Sequence, residues 1–258
     1  MKLLLDADML LMKCTSSKEV QVEVEISPDV WTRWASVDKA RDRYWELVQE
    51  FCEYFECKKE DVAHCFTEGS TFRKQISSAY KGNRKARQKP IGYAALKAEL
   101  TSGEGGVFAV VHEQIEADDA LGLFADKLKQ QKETYAIVSG DKDLRQIPGR
   151  RKWIDQEEEY VSVEAAARMF WQQVLAGDST DNVPGCPGYG MVTAAKAVDG
   201  WDYTDELGCW KKIVRLFEKK GKTEDFALQQ AQLVRILRGN DYDFTTQQVT
   251  LWNPTLTH

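Results

Sequence analysis

Two aspartates directly before a glycine-rich turn are the first residues whose types and spacing suggest chemistry. Asp178 and Asp181 lie three residues apart in the stretch AGDSTDNVPGCPGYG, and no basic residue separates them. Carboxylates this close repel each other unless water or a cation screens the charges. The pair is therefore either two solvated loop acids or part of a cation site, and the rest of the chain must decide between these alternatives.

Acidic residues also follow four predicted strands, each near the carboxyl end of its strand. Asp6 ends KLLLD (2–6), Glu68 ends DVAHCFTE (61–68), and further acids follow GVFAVV (106–111) and TYAIVSG (134–140). In an open parallel sheet, sites are built at this edge. Together with the first pair, the candidate metal ligands are Asp6, Glu68, Glu116, Asp118, Asp119, Asp141, Asp143, Asp178 and Asp181.

An all-oxygen ligand set without Cys or His favours Mg²⁺ or Mn²⁺. Because Mg²⁺ usually takes only one or two carboxylates besides water, nine acids indicate two ions or more. Two ions about 3.5–4 Å apart can hold both the attacking and the leaving oxygen of a phosphodiester. Each acid alone is better explained as a helix cap, a turn former or a solvated charge. As a set at one sheet edge, they favour a metal site.

A separate basic segment, TFRKQISSAYKGNRKARQKPIGYAALKA (71–98), contains eight basic residues and no acid, although the net charge of the chain is −6. It is either a solvated surface segment or one that holds nucleic-acid phosphates over the acidic edge. Lys81 and Arg84 are three apart and could reach one scissile phosphate, while Tyr80 and Tyr93 offer ring faces for an unpaired base. The candidate DNA contacts here are Arg73, Lys74, Tyr80 and Lys85.

The glycine-rich turn itself is a candidate phosphate-binding element. Gly185, Gly188 and Gly190 precede the predicted helix MVTAAKAV, so backbone N–H groups would face a phosphate without reading base sequence. Lys196 in this helix is a further candidate contact. The alternative is an ordinary helix–turn–helix hairpin, since the glycine spacing alone is weak evidence.

The elements that must position these residues are predicted from the apolar pattern. The 258 residues are 43% hydrophobic, enough for one large α/β domain or a domain with a helical appendage. A fifth predicted strand is RKWID (151–155), and helices are predicted over 38–55 and 117–130 and throughout most of the chain after about 163. Strands alternating with helices predict a parallel sheet with crossover helices. We expect a core over 1–160, including the basic segment at about 70–105, and a continuous helical region over 161–258.

The composition also excludes several classes of protein. The six cysteines form no CxxC pair and only three histidines are present, so zinc-ligand spacing is absent and reduced thiols are expected. The first apolar run is broken by acids, and no stretch reaches the roughly 20 apolar residues of a membrane span. A negative chain does not suit a simple basic coat protein on nucleic acid. We expect a cytoplasmic protein without membrane contact, and a monomer is favoured.

Five motifs in order, LLLDAD, YKGNR, IEADD, SGDKD and GDSTDNVPGCPGYG, resemble those of the 5′-nuclease family. This family includes flap endonucleases, the 5′-exonuclease domains of bacterial DNA polymerases and phage 5′–3′ exonucleases. The resemblance spans about residues 2–200, and the tail QLVRILRGNDYDF is similar to small podophage-type 5′–3′ exonucleases. It implies a PIN-like parallel-sheet core, a helical arch and a helix–three-turn–helix region. It also implies metal-dependent hydrolysis of DNA phosphodiesters near a 5′ end or a 5′ flap.

The resemblance also assigns roles to residues. The first metal would be held, directly or through water, by Asp6, Glu68, Glu116, Asp118 and Asp119, and the second by Asp141, Asp143, Asp178 and Asp181. Lys81 and Arg84 match the catalytic basic pair, and K⁺ would bind backbone carbonyls at Val183, Gly185 and Gly188. Glu68 replaces a commoner aspartate, Met191 and Val192 stand where relatives often carry lysine, and Asp8 has no assigned role.

Two other functions remain as alternatives. A haloacid-dehalogenase-type phosphatase would use Asp6 as a covalent nucleophile with Asp8 beside it, but this leaves IEADD, SGDKD, YKGNR and the glycine turn unexplained. A non-catalytic DNA-structure-binding protein would be expected to lose some of the nine acids, and this chain keeps all of them. A small PIN-type ribonuclease would lack the C-terminal glycine turn.

Overall fold

A six-stranded sheet forms the centre of the molecule. The structure is a computed structural model, and it describes residues 1–84, 88–103 and 106–254. The strands are β1 (Lys2–Asp6), β2 (Gln21–Ser27), β3 (Val30–Ala35), β4 (Val62–Thr71), β5 (Phe108–Gln114), β6 (Tyr135–Val138), β7 (Gly149–Lys152), β8 (Glu159–Val161), β9 (Tyr242–Asp243) and β10 (Gln248–Val249). The α-helices are α1 (Ala7–Thr15), α2 (Val37–Tyr54), α3 (Arg73–Ile76), α4 (Tyr93–Thr101), α5 (Ala117–Gln130), α6 (Val163–Ala176), α7 (Met191–Ala197), α8 (Glu206–Glu218) and α9 (Glu224–Val234).

The order of the central sheet is β5-β4-β1-β6-β7-β8, and only the pairing of β8 with β7 is antiparallel. Leu3, Leu4 and Leu5 in β1 are each 1% exposed, because both faces of this central strand are covered. A continuous apolar run is the pattern expected of such a strand. The predicted α/β fold with a mostly parallel sheet is therefore confirmed.

Two apolar cores lie on opposite faces of this sheet. On one face Leu10 of α1, Leu47 of α2 and Leu96 of α4 pack together. On the other face Leu121 of α5 packs with Ile236, which follows α9. Since α5 runs from β5 back to β6, it is the crossover helix expected between parallel strands. Its bounds agree with the predicted 117–130.

The chain after residue 163 is mainly helical, as predicted, and α6, α8 and α9 enclose a third core around Trp210 and Trp252. A loop over 177–190 joins α6 to α7. The helix–three-turn–helix and the boundary at residue 160 stay predictions. In the basic segment, α3 and α4 are short, and α4 lies against α1 and α2. Of the helices that the structure describes, none is both long and apolar enough to span a bilayer.

Helix α1 and the β2–β3 hairpin are among the elements that were not predicted from the sequence. Helix α1 begins at once after β1, where the Asp6 carboxylate accepts the Met9 backbone N–H at 3.0 Å. Strands β2 and β3 form an isolated antiparallel hairpin outside the central sheet. The hairpin side chains are mostly exposed, including Trp31 at 62% and Trp34 at 57%. The alternation of Val22, Val24 and Ile26 with polar residues is typical of a strand, and this signal was overlooked.

A buried histidine gives the fold a pH dependence that can be measured. His64 on β4 is 1% exposed, its Nδ1 lies 2.8 Å from the Tyr44 hydroxyl, and burial lowers its pKa to about 4. The neutral ring therefore stabilises the fold above pH 6.5, and this stabilisation is lost as the pH falls towards 4, by up to about 3 kcal/mol. Urea titrations of the wild type and His64→Gln at pH 7, 5.5 and 4 should show a larger loss in the wild type. Equal pH profiles would contradict this.

Candidate active site

The carboxyl ends of β1 and β6 bring acids to one edge of the sheet. Asp6 at the end of β1 is 5% exposed, and Ser139, which follows β6, donates its hydroxyl to Asp6 Oδ2 at 2.8 Å. Burial, together with repulsion from Asp8 and Asp141, raises the pKa of Asp6 to about 6. The side chain of Asp6 is therefore held in place at a position where its charge is poorly compensated.

Asp118 lies in the first turn of α5 and points to the same charge cluster. Among the described residues, none donates a hydrogen bond to the Asp118 carboxylate. Burial, followed by repulsion from Asp6 and Asp141, raises the pKa of Asp118 well above its usual range. An uncompensated carboxylate beside two others is an electrostatic environment that a bound cation would stabilise.

A second group of acids joins the end of β6 to the loop after α6. Asp143 accepts a hydrogen bond from Gln173 Nε2 at 2.7 Å, and burial together with repulsion from Asp141 and Asp178 raises its pKa to about 7. Asp141 caps a short 3₁₀ helix and accepts the Asp143 N–H at 2.8 Å. The two predicted carboxylate groups therefore lie at one edge and influence each other through Asp141.

The glycine-rich loop holds Asp178 and Asp181 in a fixed conformation. Asp178 and Val183 exchange two backbone hydrogen bonds of 2.8 Å each. Gly177 has φ 67°, and a Cβ added there would lie 2.2 Å from the Val183 carbonyl oxygen, so no larger residue fits. The close packing of Gly177 against Gly185 explains why glycines stand next to the two acids.

The basic segment reaches the acidic edge through Lys81 and Arg84. Lys81 Nζ lies 2.5 Å from Glu116 Oε1 and 3.7 Å from Asp181 Oδ2, and Arg84 donates to Asp181. The Tyr80 hydroxyl lies 3.0 Å from Glu116 and 2.9 Å from Asp181. Burial raises the pKa of Glu116, but the charges of Arg73 and Lys81 outweigh burial and hold it below its ordinary value. The acids of α5 and of the glycine-rich loop thus share the same cations.

Arg73, predicted as a DNA contact, and Asp119, predicted as a metal ligand, are buried against each other. Arg73 is 3% and Asp119 0% exposed, and they form a bidentate ion pair with distances of 2.6 and 2.8 Å. Arg73 also donates to the carbonyls of Leu233 and Arg235, and Asp119 accepts the Leu237 N–H. Both side chains form their hydrogen bonds inside the protein in this structure, so the roles of Arg73 and Asp119 toward DNA and metal stay predictions.

Tyr80 and Tyr93, predicted to offer ring faces for an unpaired base, are also covered in this structure. Both residues are 3% exposed. The Tyr93 hydroxyl donates to Asp8 at 2.8 Å, and Lys89 Nζ lies 4.0 Å from the centre of the Tyr93 ring. Because both rings are covered and both hydroxyls bind carboxylates, these tyrosines position acids rather than bind a base.

Asp8 of α1 and Glu68 of β4 both lie near Lys97 and differ in exposure. Asp8 accepts the Thr67 backbone N–H at 2.7 Å, which ties α1 to the end of β4. The side chain of Glu68 is 60% exposed, and Lys97 Nζ lies 3.2 Å from it. Asp8, like Ser139 and Gln173, supports the acidic edge. Sequence reasoning gave these residues no role because their contacts are long-range.

The other predicted contacts lie at the surface or within the glycine-rich loop. Lys74, Gly188, Gly190 and Lys196 are exposed, whereas Val183 and Gly185 are buried. Lys85 lies outside the described residues. The Val183 carbonyl already accepts the Asp178 N–H, and the K⁺ site stays a prediction.

An open cleft of about 1000 Å³ lies in front of these groups. It is bounded by α1, the end of β4 and the basic segment, with Lys81 and Glu116 among its lining residues. The cations Lys13, Lys74, Arg84 and Lys89 also line it. A cleft with cations facing a carboxylate edge can hold a phosphate chain next to a metal site.

The acidic edge offers oxygen donors and uncompensated negative charge to a divalent metal. In the described part of the chain, no three or more His, Cys, Asp or Glu residues form a ready-made metal cage. However, the raised pKa values of Asp6, Asp118 and Asp143 and the missing donor at Asp118 indicate charge that a cation would neutralise. Oxygen donors with water completing the shell suit Mg²⁺ or Mn²⁺. The residues fit such an ion.

Metal addition therefore has an expected effect on stability. Mg²⁺ binding to the folded state at about 100 times its Kd would add about 2.7 kcal/mol, which for a chain of this size raises Tm by roughly 5–10 °C. Differential scanning fluorimetry at pH 7.5 with EDTA or Mg²⁺ measures this, with Na⁺ at equal ionic strength as control. The same Tm in all three conditions would mean that the acids do not bind the ion.

Comparisons with known proteins agree with this geometry. Residues 42–170 match the family described as 5′-3′ exonuclease, N-terminal resolvase-like domain. The exonuclease of Escherichia phage T7 is 27% identical over 287 aligned positions, which cover 98% of this chain and 93% of that protein. The DNA polymerase I of Bacillus subtilis is 31% identical over 191 positions, covering 65% of this chain and 21% of that protein.

The fold is also found among solved structures. The phage T5 D15 protein, crystallised with metal ions, superimposes with a TM-score of 0.64 at 16% identity, covering 90% of this chain and 88% of that one. A T5 D15 flap endonuclease in a complex with DNA and metal ions has the same TM-score at 17% identity. At this level of identity the likeness establishes the fold.

Proposed function

The chain belongs to the 5′–3′ exonuclease family with an N-terminal resolvase-like domain, and from this membership we propose that it is a 5′–3′ exonuclease and flap endonuclease acting on DNA. The observation that carries the proposal is the contact of Lys81 and Arg84 with Glu116 and Asp181 at the acidic edge. Lys81, Arg84 and Glu116 line one open cleft, so cations for a phosphate lie there beside a carboxylate for a metal ion. The phage relatives support a role in the host cytoplasm. The monomeric state stays a prediction.

We propose that the reaction depends on two divalent ions, Mg²⁺ or Mn²⁺. One ion would be held by Asp6, Glu116 and Asp118, and the other by Asp141, Asp143, Asp178 and Asp181. Such ions supply an activated water and neutralise charge on the leaving oxygen. Glu68 lies at the same sheet edge and would act through water. The phosphatase alternative is less well supported, because the Asp6 carboxylate is buried and hydrogen-bonded to Ser139.

The side chains of this chain would then bind and orient the DNA. Lys81 and Arg84 would exchange their carboxylate partners for the scissile phosphate and stabilise its developing charge. Tyr80 would hold Glu116 and Asp181 at a fixed separation. The loop over 183–190 would contact the duplex backbone, which carries no base information.

Lys81→Ala tests the role of the basic segment. The variant is expected to lower kcat by roughly a hundredfold, because the group stabilises charge that develops in the transition state. KM should change by less than about threefold. Single-turnover cleavage of a labelled flap measures both, with Lys39→Ala, an exposed lysine on α2, as the control. Equal losses in kcat and in binding would make Lys81 a simple phosphate contact.

The function itself is tested with a 5′-labelled duplex and a matched 5′-flapped duplex, each with and without Mg²⁺. Release of short 5′ products that needs metal is the expected result, and product lengths distinguish exonuclease from flap cleavage. No cleavage with Mg²⁺ or Mn²⁺, together with hydrolysis of a phosphomonoester, would overturn the proposal in favour of a phosphatase. Binding without any hydrolysis would favour a DNA-structure-binding protein.

A further inference from the structure

A second groove, of about 780 Å³, opens from the active-site cleft and shares Ser16 and Lys89 with it. We call it the hairpin groove, because it lies between the β2–β3 hairpin and residues 88–91. Its other lining residues are Lys18, Gln21, Val22, Glu23, Arg33, Gln88, Pro90 and Ile91. The shared residues make the cleft and the hairpin groove one continuous path.

The hairpin groove is held together by specific contacts. Gln21 Nε2 donates to the Thr15 carbonyl at 2.7 Å and to the Ile91 carbonyl at 2.9 Å. One side chain of the hairpin thus ties it both to the end of α1 and to the far wall of the groove. This fixed geometry makes the groove a built feature of the fold.

The charges along the path are mainly positive. Among the described residues, Lys13, Lys18 and Lys89 have no carboxylate within 4.0 Å. Arg33 pairs with Glu23 at 3.3 Å, but both side chains are about two-thirds exposed. Exposed ion pairs of this kind contribute little to stability, so Arg33 can exchange Glu23 for a phosphate. The cations therefore continue from Lys81 and Arg84 in the cleft past Lys89 to the hairpin, in a chain whose net charge is −6.

We propose that the hairpin groove binds the single-stranded 5′ extension of a flapped DNA beyond the active-site cleft. Lys18, Lys89 and Arg33 would contact its phosphates. The apolar surfaces of Val22, Pro90 and Ile91 suit unstacked bases of any sequence. The inference rests on the proposed function and deepens it, because a strand end in a blunt duplex has no extension to place there. Long flaps would then gain binding that blunt ends lack.

The test uses Lys18→Ala/Arg33→Ala and a charge-matched control, Lys127→Ala/Lys129→Ala. The control pair lies in the last turn of α5, at the opposite edge of the sheet. Cleavage is measured in Mg²⁺ on a blunt duplex, on a one-nucleotide flap and on a flap of about 15 nucleotides. With the test variant, kcat/KM on the long flap should fall roughly tenfold, while the other substrates and the control should stay within about twofold. The salt dependence of log kcat/KM on the long flap should weaken by roughly 1.4, about 0.7 for each lost phosphate contact.

The outcomes separate the inference from the proposed function. An equal loss on blunt and flapped DNA, or no loss on either, overturns the hairpin groove as a flap site while cleavage itself persists. If the wild type cleaves none of the substrates, the proposed function fails first. Crosslinking from a 4-thiothymidine in the long flap gives a second readout. Adducts within 16–35 or 88–91 support the groove, and adducts confined to other segments overturn it.

Discussion

Asp118→Asn is expected to reduce cleavage of a 5′-labelled duplex by roughly a thousandfold or more, about 4 kcal/mol of transition-state stabilisation. Asp118 has no hydrogen-bond donor among the described residues, and burial, followed by the neighbouring charges of Asp6 and Asp141, raises its pKa. Such a carboxylate gains most from a bound cation and is least needed by the fold. Asparagine has the same shape but removes the charge, so the loss should fall on metal binding.

Three measurements on this variant separate a metal ligand from a structural acid. DNA affinity without metal should stay within about threefold of the wild type, and the stabilisation by Mg²⁺ should shrink. The Tm in EDTA should rise, because less carboxylate repulsion remains. Asp225→Asn is the matched control, since Asp225 also lies in the first turn of a helix, α9, but is exposed. Near wild-type cleavage by Asp118→Asn would count against the metal assignment.

The acidic edge could be predicted because its causes are local in the sequence. A buried parallel strand needs a continuous apolar run, and the acid that ends the run marks the carboxyl end of the strand. Asp6 after Leu3–Leu5 is of this kind, and so are the acids after β6. Because the strands are parallel, their carboxyl ends lie at the same edge of the sheet. The meeting of these acids can therefore be predicted without knowing any long-range contact.

Burial that the sequence did not predict is found at residues whose environment is set by distant parts of the chain. Arg73 stands in a segment of eight basic residues, and nothing nearby distinguishes it from the exposed Lys74. It is buried because the carbonyls of Leu233 and Arg235, about 160 residues away, complete its hydrogen bonds. Local patterns do not encode such contacts, and the burial of Tyr80 has the same kind of cause: Glu116 and Asp181 bind its hydroxyl.

Arg73→Met is expected to destabilise the protein by about 3–5 kcal/mol, because it leaves the Asp119 carboxylate buried without its counter-ion. Asp119 is fully buried, and both of its oxygens accept hydrogen bonds from the Arg73 guanidinium. For a chain of this size the loss corresponds to a fall in Tm of roughly 6–20 °C. Urea denaturation in EDTA measures this loss of stability without any contribution from bound metal. Arg43→Met, which breaks exposed pairs with Glu46 and Glu50, should cost less than about 1 kcal/mol.

The double variant Arg73→Met/Asp119→Asn tests the cause and decides the role of Asp119. Removing both charges should recover at least about half of the lost stability, because no buried charge remains unpaired. The neutral amide oxygen can still accept one of the two N–H groups that now bond to different Asp119 oxygens, that of Leu237 or that of Glu116. If Asp119 only positions α5, the recovered protein should cleave within about tenfold of the wild type. A loss as large as that of Asp118→Asn in a stably folded double variant would make Asp119 a metal ligand after all. The ion pair with Arg73 would then have to open when metal binds.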